Sequence, residues 1–166
     1  MINVLNTRNK KTFFAGAFIL SVFIVTSFYV DDVLNRNSNN KGNVVSGVNH
    51  VLRIGNAHVR IDIADTPALQ EQGLSGRKVL SEDQGMYFIF NHPGIYPFWM
   101  KEMNFPIDII WIDENMSVAD ITKRALPSSF PQTFVPRVPA LYVLEVQAGF
   151  AERHGVKIGD QVLLNP

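Results

Sequence analysis

The polar and apolar residues after position 49 alternate in a way that predicts short β-strands. In HVRIDIAD (58–65), Val59, Ile61 and Ile63 fall on one side of an extended chain and the polar side chains fall on the other, as in a half-buried strand. Further strands are predicted at 85–90, 107–113, 117–122, 141–147 and within 156–164. The first two of these are apolar on both faces, which indicates strands in the interior of a covered sheet.

Two short helices are predicted between these strands. Thr66 provides an N-cap, Pro67 occupies the first helical position, and Gly73 ends the first helix. The second helix falls within residues 148–155 and ends at Gly155. Six or more short strands with two small helices predict a mainly β fold, a compact single-domain barrel or sandwich that is largely antiparallel.

The N-terminal segment has a different pattern. Residues 12–30 are an uncharged, apolar run that is preceded by basic residues and followed by two aspartates. As a helix, this run would extend about 28 Å, close to the roughly 30 Å of a bilayer core. It is predicted to be a transmembrane signal anchor, with residues 1–11 in the cytoplasm and residues 31–49 as a flexible linker.

This topology predicts a single-pass protein of the cell membrane. Residues 50–166 would form the β domain outside the cytoplasm. A cleaved signal peptide, which would leave a secreted or periplasmic protein, is the alternative. The oligomeric state stays open at this point.

The composition narrows the classes of function. The chain has 15 basic and 15 acidic residues, so its zero net charge gives no reason to expect a nucleic-acid partner. It has no cysteine, which excludes disulfides, thiolate metal sites and a cysteine nucleophile. The four histidines lack metal-ligand spacing. We therefore predict neither a cofactor nor a metal.

Two carboxylates fall on predicted apolar strand faces. Asp108 shares a face with Ile110 and Ile112, and Glu145 shares one with Val143. A buried carboxylate is costly unless it is paired, hydrogen-bonded or protonated. One hypothesis is that both acids meet Lys101 in a single pocket. The alternative is a structural network of ion pairs at a strand end.

The pocket hypothesis includes an aromatic wall. Such a wall suits a sugar or another flat ligand, and two carboxylates can perform acid–base chemistry. Arg77, on a loop with two glycines, could bind an anion or form a surface ion pair. The candidate ligand-binding residues are Trp99, Lys101, Asp108, Glu145 and Arg77, with Phe98 and Trp111 completing the wall. No residue is assigned as catalytic.

Three segments together resemble a known family. They are ADTPALQEQGLSGRKVLSEDQGMYFIF, FWMKEMNFPIDIIWID and YVLEVQAGFAERHGVKIGD, in that order. They resemble domain of unknown function family 192 over about residues 50–165. The resemblance implies one compact, mainly β domain, often behind a signal peptide or membrane anchor in prokaryotes. This sequence departs from the family pattern at Glu102-Met103, where many members have Asn-Thr.

Three hypotheses about function follow. The first is an uncharacterised, membrane-anchored domain that binds a small molecule or a component of the cell envelope. The second is an envelope hydrolase that uses Asp108 or Glu145 as acid or base. The third is a structural or protein-interaction module.

Overall fold

The computed structural model describes residues 50–165. They form two short helices, α1 (Pro67–Gln72) and α2 (Phe150–Arg153), and a 3₁₀ turn at Pro127–Ser129. The strands are β1 (Val51–Ile54), β2 (Ala57–Ala64), β3 (Gln84–Gly94), β4 (Phe98–Trp99), β5 (Ile107–Ile112), β6 (Val118–Ala125), β7 (Thr133–Phe134), β8 (Ala140–Gln147) and β9 (Val162–Asn165). The mainly β fold with two short helices is confirmed.

The predicted N-terminal segments, 1–11, 12–30 and 31–49, lie outside the described residues. Between residues 50 and 165, no helix is both long enough and apolar enough to cross a bilayer.

Seven of the strands form one curled sheet in the order β6-β5-β8-β3-β2-β1-β9. Neighbouring strands are antiparallel except for the parallel pair β2–β3. The edge strands approach one another at a bridge between Ser117 and Gln161, where the Val118 N–H also donates to the Asp160 carbonyl at 2.9 Å. The sheet is curled into a half-barrel, and its two edges come together at this bridge. Strands β4 and β7 form a separate two-stranded sheet.

The sheet is covered on both faces, which explains its two-sided apolar strands. On the first face, Tyr87, Ile110 and Leu144 belong to one buried cluster together with residues of β1, β9 and α2. On the second face, Met86, Phe88, Ile109 and Val143 belong to another cluster, which the loops after α1 and around β4 cover. Each fully buried Ile or Leu contributes about 1.5–3 kcal/mol.

Helix α1 is fixed by its ends and by one side chain. The Leu69 N–H donates to Thr66 Oγ1 at 3.3 Å, which confirms the predicted N-cap, and Gly73 ends the helix as predicted. Gln70 Nε2 donates to the Ile89 carbonyl at 2.7 Å, which holds α1 against β3. The last residues of α1 consequently lie beside the second face of the sheet.

Candidate functional site

Glu145 lies at the centre of the second face. Strand β8 places it directly opposite Met86 of β3 and Ile109 of β5, so its carboxyl is surrounded by apolar residues. The side chain is only 4% exposed. Its Oε2 atom is buried and has no hydrogen-bond partner among the described residues. Most buried polar atoms in proteins are hydrogen-bonded, so this oxygen needs an explanation.

Burial changes the acidity of this side chain. Removal from water raises the pKa of Glu145 from 4.5 to about 8, and the positive charge of Arg77 opposes part of that rise. At pH 7 the carboxyl is therefore largely protonated. A carboxyl with a perturbed pKa in a pocket is typical of functional sites.

A small pocket opens above Glu145, with a volume of ≈ 120 Å³. Five aromatic rings line it, from Phe88, Phe90, Tyr96, Phe98 and Trp99. The rings of Phe90 and Tyr96 are stacked with centroids 3.6 Å apart, and Phe98 meets Phe88 edge-on at 4.9 Å. Such packing holds the walls in place. Trp99, which is 43% exposed, stands at the entrance.

Gly73 leaves room beside the carboxyl. This residue has φ +51, a backbone conformation that residues other than glycine rarely adopt. A Cβ here would lie 3.7 Å from Glu145 Oε2 and 3.5 Å from Phe88 Cζ. The glycine thus ends α1 and also keeps that part of the pocket free of a side chain.

Hydrogen bonds between the loop after α1 and the loop after β4 hold this side of the pocket together. Ser75 Oγ donates to the Lys101 carbonyl at 2.8 Å, and the Gly76 N–H donates to the Glu102 carbonyl at 2.9 Å. Asn104 Nδ2 donates to the Arg77 carbonyl at 2.8 Å. These bonds join the loop that follows α1 to the loop that follows β4.

The two predicted basic residues lie near the pocket but outside its lining. Arg77 donates to Asp62 Oδ2 at 2.7 Å, so it forms the ion pair that was one of its two predicted roles. Lys101 lines a neighbouring depression with Glu71, and its Nζ lies 5.7 Å from the centroid of the Trp99 ring. Whether either residue binds a ligand stays a prediction.

Asp108 does not share this pocket, so that part of the hypothesis is wrong. It pairs with Val146 across β5 and β8, which places it on the first face, opposite to Glu145. Its carboxylate accepts the N–H groups of Arg124 (2.8 Å), Gly149 (3.1 Å) and Ala151 (2.9 Å). The fully buried Asp108 is therefore satisfied by the backbone at the start of α2 and in β6.

The predicted aromatic wall is only partly present. Trp99 and Phe98 line the pocket as expected, but Trp111 is fully buried and donates through Nε1 to the Tyr96 carbonyl at 3.3 Å. The structure thus brings Glu145, Phe98 and Trp99 together. It places Asp108 elsewhere.

Residues 50–164 match the family DUF192, described as "Uncharacterized ACR". The chain belongs to the DUF192 family. This confirms the resemblance noted in the sequence. A comparison with curated proteins found no match.

Two solved structures are similar to this DUF192 domain. One is a Sinorhizobium meliloti 1021 protein suggested to be a transcription regulator, with 31% identity and a TM-score of 0.66, covering 69% of this chain and 92% of that one. The other is a protein of unknown function from Novosphingobium aromaticivorans, with 33% identity and a TM-score of 0.67, covering 72% of this chain and 88% of that one.

Several lining residues of the DUF192 domain were missed in the sequence. Phe88 and Phe90 sat in a strand predicted to be apolar on both faces, and Gly73 was identified only as a helix end. Tyr96 and Glu71 gave no signal. Chain position alone does not show that these residues surround Glu145, because they come from α1, β3 and the loop before β4.

Proposed function

We propose that this domain is a binding module, which receives a small ligand or a small group of an envelope component in the pocket above Glu145. The observation that carries the proposal is the buried, unpartnered Glu145 Oε2 in an aromatic-lined cavity. Apolar pockets with a few convergent polar groups are the usual sites for small ligands. A membrane-anchored location outside the cytoplasm is part of the same proposal and rests on residues 12–30.

Two other functions receive less support. An envelope hydrolase that uses Asp108 or Glu145 as acid or base could not use them together, because the two carboxyls lie on opposite faces of the sheet. Asp108 also already accepts three backbone N–H groups. The role in transcription that is suggested for the Sinorhizobium relative receives no support from the charge of this chain, whose net charge is zero. A pure interaction module is the outcome if no small probe enters the pocket.

The two tryptophans provide a built-in test of binding. Trp99 stands at the pocket and Trp111 is fully buried behind it. In an NMR titration with glucose, butan-1-ol, n-butylammonium and butyrate, we expect at least one probe to shift the indole N–H signal of Trp99. The Trp111 signal should move much less. If no probe shifts Trp99 at millimolar concentrations, the binding proposal is wrong.

A pair of glycine variants controls for backbone strain in this test. Both Gly73→Ala and Gly76→Ala introduce a side chain at positive φ, but only the Cβ at position 73 faces Glu145, whereas nothing lies within 4 Å of one at position 76. Gly73→Ala should therefore abolish the Trp99 shift. Gly76→Ala should retain it. Equal losses would indicate a general effect on the fold.

A further inference from the structure

We propose that the group bound in this pocket is a primary ammonium carried on a short apolar chain, as in an alkylamine or a lysine-like side chain. This inference rests on the proposed binding function and deepens it. Three features support it: the charges of the lining, the unpartnered carboxyl oxygen, and the aromatic walls.

The lining of the pocket is acidic. Its charged side chains are Glu71, from α1, and Glu145, and no lysine, arginine or histidine of the described residues contributes to it. An anion would therefore enter without a counter-charge. A cation would meet one carboxyl at the base and a second one beside α1.

The unpartnered oxygen of Glu145 requires a hydrogen-bond donor. An ammonium carries three N–H donors and no acceptor. It would donate to Oε2 and at the same time supply the positive charge that an ionised, buried carboxylate lacks. The described residues do not form a group of three or more metal-ligating side chains, so an amine fits the site better than a metal ion does.

The aromatic walls favour the same kind of ligand. The faces of aromatic rings attract cations, and the rings of Phe88, Phe90 and Tyr96 also accommodate an apolar chain. Lys101 already places its ammonium 5.7 Å from the ring centroid of Trp99. The Trp99 ring at the entrance of the pocket therefore already lies near one ammonium, that of Lys101.

Other charged or titratable groups surround Glu145. The positive charge of Arg77 opposes a cationic ligand, but Asp62 pairs with it at 2.7 Å. Lys101 shares its depression with Glu71 and Glu102. The Tyr96 hydroxyl donates to the His92 carbonyl at 2.7 Å, so this proton is already committed. Glu145 thus remains the group through which an ammonium would be bound.

Binding of an ammonium should release a proton. Because the pKa of Glu145 is raised to about 8, its carboxyl is mostly protonated at pH 7 when the pocket holds no ligand. An ammonium prefers the ionised carboxylate, so its affinity should increase as pH rises toward about 8. A neutral hydroxyl that accepts a hydrogen bond from the protonated carboxyl should show the opposite trend.

The experiment compares three probes of similar size: n-butylammonium, butan-1-ol and butyrate. Dissociation constants are obtained from the Trp99 indole shifts across the pH range from about 4.5 to about 8. We expect n-butylammonium to bind at least about tenfold more tightly than butan-1-ol at the upper end of this range, a difference of about 1.4 kcal/mol. Butyrate should not bind at the upper end of this range, where it is an anion.

Glu145→Gln provides the matched variant, since it retains the shape of the side chain but cannot ionise. The variant should bind n-butylammonium about tenfold or more weakly than the natural protein, and this binding should no longer depend on pH. It should retain weak binding of butan-1-ol. Its melting temperature verifies that the variant is folded. Glu71→Gln should cause a smaller loss of n-butylammonium affinity than Glu145→Gln does.

The outcomes separate the two proposals. If butan-1-ol binds as tightly as n-butylammonium, or binding of the amine is independent of pH and of Glu145, the pocket is a binding site but the ammonium inference is wrong. If no probe shifts Trp99, both proposals are wrong.

Discussion

Replacing Asp108 with asparagine should lower the free energy of unfolding by about 1–3 kcal/mol. The carboxylate is fully buried and accepts three backbone N–H groups, from Arg124, Gly149 and Ala151. Asparagine has one acceptor oxygen, and its NH₂ group would face an N–H donor. A buried donor that loses its partner costs about 1–3 kcal/mol, and bonds to a charged group are among the stronger ones.

Urea unfolding of Asp108→Asn beside Asp113→Asn measures this effect. Asp113 also accepts two backbone N–H groups, from Asn115 and Ser117, but at a partly exposed turn where water can replace the carboxylate. We expect a loss below about 1 kcal/mol there. The folded fraction of Asp108→Asn should still bind the pocket probes, because Asp108 lies on the opposite face. Equal losses in the two variants would contradict the assigned structural role.

The second large effect is a dependence of stability on pH that originates at Glu145. Its pKa is higher in the folded state, about 8, than the ordinary 4.5, so the folded state binds more protons between these values. The free energy of unfolding must therefore decrease as pH rises through this window and become constant above it. The rise in pKa corresponds to a total change on the order of 5 kcal/mol.

Glu145→Gln should remove this dependence. At the acidic end the variant and the natural protein should be equally stable, because the natural side chain is also neutral there. Above about pH 8 the variant should be more stable by several kcal/mol. Subtracting the two unfolding curves cancels the contributions of all other titrating groups. A difference that stays constant across the window would show that Glu145 is not desolvated.

Together these two predictions assign different roles to two carboxyls that look alike in the sequence. Asp108 stabilises the fold and should be dispensable for binding. Glu145 destabilises the folded state when it ionises and should be needed for binding. Polar groups that reduce stability in this way are common at functional sites.

The period-two alternation was sufficient to predict the core of the sheet. It predicted correctly that Asp108 faces the same side of β5 as Ile110 and Ile112, and that Glu145 shares a side with Val143. It could not relate the two strands, because the register between them sets which residues share a face of the sheet. Asp108 is opposite Val146, one residue away from Glu145, and this single step separates the two acids.

Strand ends and short strands were less predictable. The strand predicted at residues 85–90 in fact continues to Gly94, where β3 pairs again with Ala140 after an irregularity that follows Ile89. The four-residue β1 was too short for its pattern to be recognised. No strand was predicted in the proline-rich chain between residues 126 and 139, yet β7 within it pairs with β4 beside the pocket.

The pocket itself could not be predicted because its parts are far apart in the chain. Glu71 lies in α1 and Gly73 ends that helix, whereas Phe88 comes from β3 and Trp99 comes from β4. Three lining residues carried a signal in the sequence: Glu145 as a charge on an apolar face, and Phe98 and Trp99 as parts of the predicted aromatic wall. The depth to which Glu145 is buried and its free oxygen are properties of the assembled structure.

The central claim is that Glu145 is a buried, unpartnered carboxyl at the base of a binding pocket. A ¹³C NMR titration of the Glu145 side-chain carboxyl tests it most directly, with Glu145→Gln to assign the signal. We expect a midpoint at about pH 8 without ligand and a lower midpoint with n-butylammonium. A midpoint near the ordinary 4.5 in both samples would show that water reaches the carboxyl, and would contradict the account.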